Sequence, residues 1–356
     1  MITQIKHERP GVYSSYETSS LTAASAGGGK VAVVADAGGL KNGKDFYQWT
    51  SYSKAAADVG ECALSRLTQL AIRNGAGTVY GVPVKLTEGG AGGSYKAAFE
   101  MTAAIEDVSV VVCDSTELAV QQQLKAMVQE CSGARRERIA VVGGKAGETV
   151  AELVGRAGGL NCERVVLVAP GGVDASGEAV GGVMCAAAVA GAIAGSTDPA
   201  LPLGGAQLYG LTGLEESYDD GEIDALVKGG VTALETLAGA CYVVRGVTTK
   251  TKTGNAEDAT WRELTTILVV DEVIPGLRNA LRAKFSRAKN TEQTRGAIRS
   301  QTVLELEKRV SREIIDSYED VTVSALEDDP TVCLVEFAFT VAHGLNQVWL
   351  SAHITV

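Results

Sequence analysis

The sequence predicts an α+β fold with extended β-strand arms at both ends. Between residues 95 and 197, short apolar runs alternate with helical segments, and residues 332–356 hold two runs that alternate apolar and polar side chains. The first pattern is typical of a parallel sheet with right-handed crossovers, and the second of β-strands. We therefore expect a discontinuous core domain that is interrupted by an inserted α/β (βαβαβ) domain.

Changes in composition divide the chain into five parts. We expect an N-terminal arm at 1–25, a core domain in two pieces at 26–87 and 198–345, an inserted, outward-facing α/β domain at 88–197, and a C-terminal strand at 346–356. Glycine-rich stretches and Asp-Pro or Pro-Gly pairs mark most of these boundaries, as expected for linkers and turns.

The first core piece contains a strand, a helix and a second strand. Val31–Ala35 is a wholly apolar run, which is typical of a buried strand, and Thr78–Val84 is a second strand. Between them, Ser53 is in position to cap a helix that continues to Asn74-Gly75, a helix stop signal.

The inserted domain alternates strands and helices. The predicted strands are 108–112, 139–142 and 165–169, and the predicted helices are 95–106, 116–131, 147–157 and 179–194. The last helix contains Val183–Ala194, which is too short to span a bilayer and reads as a closely packed buried helix.

The second core piece ends in helices and strands. The predicted elements are a short helix at 222–228, strands at 241–249 and 264–270, helices at 271–289 and 294–318, and strands at 321–325, 332–341 and 347–356. The second long helix has one apolar face at Val303, Leu306, Val310 and Ile314.

Composition excludes several classes of function. The formal charge of −11 argues against nonspecific nucleic-acid binding by the whole surface. Seven scattered cysteines without a CxxC pair indicate reduced thiols, and three dispersed histidines leave no zinc site. We expect no cofactor and no catalytic set. The N-terminus has no apolar signal-peptide core, so we expect synthesis in a cytoplasm without a secretory signal and no membrane insertion by this chain.

The terminal strand predicts assembly. Residues 347–356 alternate apolar and polar side chains up to the last residue, with no polar tail to cover the strand. A bare β-branched edge is an aggregation hazard unless it pairs with another molecule. We therefore expect the strand to pair with a second copy of the chain.

Short motifs along nearly the whole chain resemble contractile tail sheath proteins of bacteriophages and R-type bacteriocins. They are Arg9-Pro10-Gly11-Val12-Tyr13, Lys44-Asp45-Phe46, Asn74-Gly75, Thr78-Val79-Tyr80-Gly81-Val82, Gly229-Gly230-Val231-Thr232, Val244-Arg245-Gly246-Val247-Thr248-Thr249, Trp261-Arg262-Glu263-Leu264, Asp328-Asp329-Pro330-Thr331-Val332 and Gly344-Leu345-Asn346. The order of these motifs carries the resemblance, since each alone is weak.

The resemblance implies a structural subunit without catalysis. Such subunits stack as hexameric rings in a helical sheath around a tail tube, lend terminal strands to their neighbours, and contract to drive the tube through a cell envelope. The implied partners are further copies of the chain, the tube protein, and baseplate and tail terminator proteins. The implied location is a bacterial cytoplasm during synthesis and then a phage virion tail or a released bacteriocin particle.

Two sets of residues are candidates for these contacts. The inter-subunit strands would use Val12, Tyr13 and Tyr16 in the N-terminal arm, Val335, Phe337, Phe339 and Val341 in the acceptor, and Val348, Leu350, Ala352, Ile354 and Val356 in the donated strand. Residues 278–312 hold ten basic and three acidic residues, a local charge of +7 on an acidic chain. This stretch is either a solvated helix surface or a tube-facing basic helix that uses Arg278, Arg282, Arg287, Arg295 and Arg299.

The rival interpretation is a nucleotide- or small-molecule-dependent α/β enzyme that uses the central domain. Gly143-Gly144-Lys145 follows a strand and opens a helix, but lacks the spacing of a phosphate-binding loop, so an ordinary connection is the simpler interpretation. Asp219-Asp220 and Asp328-Asp329 precede glycine or proline and favour turns. Asp271-Glu272 is expected to cap a helix N-terminus.

Overall fold

The computed structural model describes residues 29–38, 44–84, 92–329, 331–346 and 350–351. The predicted N-terminal arm and most of the predicted terminal strand lie outside these residues. Everything said below of elements, pairs and cavities refers to the described part of the chain.

The described residues form nine helices and sixteen strands. The helices are α1 (Tyr52–Val59), α2 (Ala63–Arg73), α3 (Gly92–Ala104), α4 (Leu118–Gly133), α5 (Val150–Leu160), α6 (Gly181–Gly195), α7 (Asp220–Lys228), α8 (Leu264–Phe285) and α9 (Glu292–Val310). The strands are β1 (Lys30–Asp36), β2 (Tyr47–Trp49), β3 (Thr78–Val84), β4 (Val110–Cys113), β5 (Ile139–Gly143), β6 (Val165–Ala169), β7 (Gly172–Val173), β8 (Ala179–Val180), β9 (Gln207–Leu208), β10 (Gly213–Leu214), β11 (Val231–Leu237), β12 (Ala240–Val243), β13 (Lys252–Thr253), β14 (Ala256–Glu257), β15 (Ile315–Ala325) and β16 (Cys333–Val341).

Nine of these strands form one large sheet. Its order is β2-β3-β1-β4-β5-β6-β11-β12-β9, and the six strands from β3 to β11 run parallel. The chain passes from β1 to β3 on one side and then crosses to β4 on the other, which is the doubly wound arrangement. The central strands are almost wholly Val, Ala and Ile because helices cover both of their faces.

Two hydrophobic cores flank this sheet. Val31 and Val33 of β1 face the side covered by α2 and α6, whereas Ala32 and Val34 face the side covered by α3 and α4. The alternation follows from the period of two along a strand. The predicted cap at Ser53 is wrong, because Ser53 lies inside α1 and Ser51 is at the N-cap position. The predicted helix is also broken into α1 and α2 at Gly60, whose φ of 72° is unfavourable for other residues.

The domain boundaries that the sequence predicted at residues 88 and 197 do not separate two sheets. Strand β4 pairs with β1 from the first core piece, and β6 pairs with β11 from the second. The predicted mixture of helices and strands in several sheets is confirmed, and the division into an inserted domain and a core at these residues stays a prediction. The short apolar strands of all three segments are buried together in one sheet.

A C-terminal unit consists of α8, α9 and the antiparallel pair β15–β16. The nine-stranded sheet and the helices that cover it form the body of the subunit. The C-terminal unit has its own core of buried apolar side chains from α8, α9 and β15, joined by Ala200, and the partly buried Phe337 and Phe339 of β16 pack against this core. The members are Ala200, Val269, Val273, Leu306, Ile314, Ile315 and Val321. Helix α9 uses the apolar face predicted from the sequence, although it ends at Val310 and β15 begins at Ile315.

The predicted strand at 264–270 is wrong, because these residues form the first turns of α8. The run is rich in β-branched residues, which favours a strand locally. Leu264, Ile267 and Leu268 nevertheless pack on the body core, and Val269, Val273 and Leu277 are buried as well. Tertiary packing of this helix therefore overrides the local preference.

Two ion pairs join α8 to the body. Arg164 donates to both carboxylate oxygens of Asp271 at 2.7 and 2.9 Å, and Arg278 lies 2.7 Å from Glu137. The predicted capping role of Asp271-Glu272 is wrong, because both residues lie inside α8. Burial acts to raise the pKa of Asp271, and the bidentate guanidinium of Arg164 opposes this by favouring the carboxylate.

We predict that Asp271→Asn lowers the free energy of unfolding by about 3 kcal/mol, because it leaves the largely buried guanidinium of Arg164 without its counter-ion. Urea denaturation of the two proteins measures the change. Asp224→Asn is the matched control, since the pair between Asp224 and Lys228 is about 70% exposed, and its loss costs no more than about 0.5 kcal/mol. Equal effects of the two substitutions would contradict the prediction.

Candidate assembly surface

The β15–β16 pair is a long hairpin with two irregularities. Its register runs from Ile315 opposite Val341 to Ala325 opposite Cys333, with shifts between Ile315 and Ser317 and between Glu319 and Thr322. Asp320 has a φ of 52° within the second shift, as β-bulges often require. The turn that joins the strands contains Asp329, whose side chain accepts hydrogen bonds from Thr331. This agrees with the turn predicted at Asp328-Asp329.

One face of β16 lies on the C-terminal core, and the other is exposed. The inward side chains are half-buried and include the four predicted acceptor residues, Val335, Phe337, Phe339 and Val341. The outward side chains are Leu334, Glu336, Ala338 and Thr340. Phe337, Phe339 and Val341 pack on this core and Val335 lies on the same face, so an incoming strand would meet β16 through its backbone edge.

Both outer edges of this sheet are open in the described chain. Strands β15 and β16 pair only with each other, so about half of their backbone N–H and C=O groups point away from the hairpin. Isolated two-stranded sheets are marginally stable, and open edges are templates for further strands. The hairpin can therefore accept one extended segment at each edge.

The predicted donor residues fall mainly outside the described residues. This applies to Val12, Tyr13 and Tyr16 of the arm, and to Val348, Ala352, Ile354 and Val356 of the terminal strand. Leu350 is described, and 94% of its surface is exposed. The strand pairing of all these residues remains a prediction.

The segment after β16 returns to the body. Gly344 lies directly against the ring of Pro202, and a Cβ atom there would overlap that ring. A cavity of about 120 Å³ beside it is bordered by Arg245 and Glu263, which form an ion pair. Residues 342–346 therefore bridge the C-terminal unit and the body before the predicted terminal strand begins.

The five arginines predicted to face a tube do not act alike. Arg278 binds Glu137, Arg295 donates to the side chain of Asn290, and Arg299 donates to the backbone oxygen of Val321 at 2.9 Å. Arg282 and Arg287 are exposed and make no hydrogen bond or ion pair with the described residues. With Lys284 and Lys289 they form a basic tip at the α8–α9 turn.

The carboxyl edge of the large sheet is where a doubly wound enzyme binds its ligand. Asp36 ends β1 and Asp114 follows β4, and no sequence motif marks either residue. The carboxylate of Asp114 accepts hydrogen bonds from the Tyr95 hydroxyl at 2.6 Å and from the Asp36 amide at 2.8 Å. Burial raises the pKa of Asp114. At this edge of the sheet, Tyr95, Asp114 and Asp36 therefore form hydrogen bonds with one another.

The glycine loop after β5 is also held by hydrogen bonds between its own residues. The carboxylate of Glu148 accepts a hydrogen bond from the Lys145 amide at 2.9 Å, and a bound phosphate would need that same amide. The carboxylate also binds the guanidinium of Arg156. Thr149 caps α5 in a capping box with Glu152. The adjacent cavity is only about 10 Å³ and is bordered by Glu215 and Glu216 as well as Glu148. These features agree with an ordinary strand-to-helix connection.

The described residues hold neither a metal-binding cluster nor a membrane-spanning helix. They contain no group of three or more His, Cys, Asp or Glu side chains placed to hold a metal ion. None of their helices is both long and apolar enough to cross a membrane. The turn predicted at Asp219-Asp220 is wrong, because Asp219 caps α7 by accepting a hydrogen bond from the Glu222 amide and Asp220 is the first residue of that helix.

Two protein-family models match the chain. The model of the phage tail sheath protein central domain matches residues 89–249, and that of the phage tail sheath C-terminal domain matches residues 256–355. Together they span most of the sequence, and the chain belongs to the phage tail sheath family. It is a structural subunit of a contractile sheath. No curated protein matches it in sequence.

Solved structures share the fold over almost the whole chain. The sheath tail protein of Desulfitobacterium hafniense is 14% identical, with a TM-score of 0.66 over 93% of this chain and 100% of that one. The helical sheath of the anti-feeding prophage, in its contracted state, is 14% identical, with a TM-score of 0.72 over 97% and 98%. The contracted PVC sheath complex of an extracellular contractile injection system is 15% identical, with a TM-score of 0.71 over 99% of each chain.

We predict that Arg299→Ala lowers the free energy of unfolding by about 1 kcal/mol, because it removes a charged donor from the carbonyl of Val321 beside the β-bulge. Thermal and urea denaturation measure the change. Arg287→Ala is the control, since this exposed arginine lies in the turn between α8 and α9, and we expect a change within about 0.5 kcal/mol. Equal losses would contradict the assignment of Arg299 to an internal role and Arg287 to the surface.

Proposed function

We propose that this sheath subunit polymerises as stacked hexameric rings around a tail tube, exchanges terminal strands with its neighbours, and contracts to drive the tube through a target cell envelope. The open edges of the β15–β16 sheet carry this proposal. Each subunit presents two free edges and has two predicted arms, so the number of acceptors equals the number of donors.

The hydrogen bonds of one added strand are enough to link subunits. β16 has nine residues, and about half of its backbone groups face outward. At a net contribution of about 0.5–1.5 kcal/mol for each hydrogen bond, one added strand contributes several kcal/mol. Each subunit donates to one neighbour and accepts from another, and such heterologous contacts build helical filaments.

Contraction requires that bodies move while their links persist. The arms are connected to the body through short segments, so strand pairing can be retained as the bodies rotate. The ion pairs of α8 with Glu137 and Arg164 hold the acceptor sheet on its own body. Movement is therefore confined to the connections between subunits. The extended state must also be kinetically trapped, because it releases free energy on firing.

The basic tip at the α8–α9 turn is the proposed tube contact. Arg282 and Arg287 are exposed and form no hydrogen bond or ion pair with the described residues. The other three arginines, Arg278, Arg295 and Arg299, bind groups of their own subunit. We place this tip toward an acidic tube surface and residues 88–197 on the outside of the sheath. Baseplate and tail terminator proteins would contact the ends of the polymer, as part of a phage tail or a bacteriocin-like particle.

We further propose that the subunit has no catalytic activity, binds no cofactor or nucleic acid, and does not itself enter a membrane. Hydrogen bonds within the chain support this proposal against the α/β enzyme, because they occupy the groups that would bind a ligand. They join Asp114 to Tyr95 and Asp36, and they join residues within the loop after β5. Thermal stability that rises with added nucleotides would favour the enzyme.

We predict that deleting Gln347–Val356 leaves a folded subunit that no longer polymerises, since the donated strand is lost while the described cores are intact. Negative-stain microscopy should show tubes or rings for the full chain and neither for the deletion, with unchanged circular dichroism.

The control compares two substitutions in the full chain. Ala352→Pro removes a backbone donor from the strand and should suppress polymerisation, whereas Ala352→Ser keeps that donor and should not. Normal tubes formed by the deletion would contradict strand exchange. An unfolded deletion protein would show that the terminal strand belongs to its own subunit's core.

A further inference from the structure

Helix α8 contains a proline near its middle, at the point where its packing changes. Before Pro275, the side chains of Leu264 and Ile267 pack on the body core. After it, Leu277 is the last buried side chain of α8, and in the described chain no side chain from 278 to 301 is buried. The far half of α8 and the start of α9, which carry the basic tip, therefore depend on contacts at their root for their direction.

The Pro275-Gly276 pair makes α8 less rigid at this root. Proline has no N–H, so α8 lacks the hydrogen bond that residue 275 would otherwise donate to the carbonyl of Asp271, and the proline ring pushes that carbonyl away. Glycine loses more conformational freedom in a helix than any other residue. Because sharp bends in helices occur at such positions, the pair is the expected joint of α8.

The side chain of Arg309 from α9 lies across this joint. Its Nη2 atom donates at 3.3 Å to the carbonyl oxygen of Glu272, before the proline, and it lies against Gly276, after the proline. A Cβ atom at position 276 would overlap Nη2 and would lie 3.2 Å from Cζ. Glycine at this position therefore leaves the space that the guanidinium occupies, and one group contacts both halves of α8.

The guanidinium of Arg309 is also held by its own helix. Its Nη1 atom donates to the carbonyl oxygen of Glu305 at 2.8 Å and to the carboxylate of Glu305 at 3.2 Å. The side chain of Arg309 is 7% exposed, and its Nε atom has no hydrogen-bond partner among the described residues. A buried guanidinium with an unmet donor costs stability, and an apolar side chain of similar length would fill the space without that cost. The contacts of Arg309 therefore serve geometry more than stability.

We propose that Pro275-Gly276 is the joint of α8 and that Arg309 locks it in one bend, which sets the direction of the basic tip. At 1.5 Å for each residue, the part of α8 from Gly276 to Phe285 is about 14 Å long. A change of about 20° in the bend, the size of a sharp kink, therefore displaces its end by about 5 Å. The value of this direction for a tube contact rests on the proposed function, whereas the lock itself does not.

Two other contacts of this region are alternatives to the lock. Arg278 of α8 binds Glu137, and Arg299 of α9 donates to the carbonyl oxygen of Val321. Neither contact joins the two sides of the joint, as Arg309 does. Both arginines are also more exposed than Arg309, and solvent weakens the contacts of exposed charges. The burial and the position of Arg309 therefore favour it as the lock.

The distance between two spin labels tests the proposal. Nitroxides are attached to p-acetylphenylalanine at the basic tip and at an exposed position of α4, introduced as Arg287→p-acetylphenylalanine and Glu130→p-acetylphenylalanine. This residue avoids labelling of the seven native cysteines. Double electron–electron resonance is recorded on the unpolymerised full chain, so that contacts between subunits do not contribute. We expect one narrow distance distribution for the parent protein.

Arg309→Met removes the lock and keeps an unbranched side chain in its place. We expect the distance distribution to shift or broaden by about 5 Å, with no fall in Tm. Both carboxylates that lose Arg309 keep a cation nearby, since Lys308 lies 2.8 Å from Glu305 and Arg312 lies 3.9 Å from Glu272. A fall in Tm with an unchanged distance would show that Arg309 only fills the core, and would overturn the proposal.

Gly276→Ala is the second variant, because it keeps Arg309 and displaces its guanidinium. Gly296→Ala in α9 is the matched control, since a Cβ atom there meets no neighbouring atom within 4 Å. We expect Gly276→Ala to change the distance as Arg309→Met does, and Gly296→Ala to leave it unchanged. Equal distances in the two glycine variants would overturn the proposal, as would a larger shift with Arg278→Gln or Arg299→Ala. Failure of the parent protein to form tubes, while the distances respond as expected, would contradict the proposed function and leave the lock standing.

Discussion

The backbone of the β15–β16 sheet has more hydrogen-bonding groups than the described chain satisfies, and this constraint governs the rest of the assembly surface. The inner face of the hairpin is completed by Phe337, Phe339 and their neighbours on the C-terminal core, so its packing is settled within the subunit. The outer edges have unpaired backbone groups, because each strand has a partner on one side only. A subunit with this arrangement gains stability when further strands join it, which is the physical basis of a polymer.

The body holds that sheet in a defined position. Helix α8 packs on the body through Leu264 and Ile267 and on the C-terminal core through Val273, and its charged side chains bind Arg164 and Glu137. The segment after β16 touches the body again at Pro202. Force applied to an exchanged strand is therefore transmitted to the whole nine-stranded body. The proposed strand exchange needs this coupling, since the strands would link the subunits while the bodies move.

Local patterns were sufficient for the elements whose environment is uniform along the chain. The apolar runs of β1, β5 and β6 are buried on both faces, and the sequence shows this directly. The family was identified from ordered motifs and confirmed by the family models. The start of α8 was mistaken for a strand because the residues on which it packs are distant in the sequence. Asp271 and Arg164 are 107 residues apart, and Arg278 and Glu137 are 141 apart, so no local pattern could pair them. For the same reason the sequence did not show that strands from three predicted segments share one sheet.

The most direct test is the hydrogen exchange of the β15 and β16 amides, compared between polymerised and unpolymerised protein. Amides that bond across the hairpin are protected in both states, whereas those at the outer edges gain partners only if neighbours add strands. The account predicts that the outer-edge amides exchange much more slowly in the polymer than in the free subunit. Unchanged exchange at both edges in well-formed tubes would contradict it, because the subunits would then be joined by other surfaces.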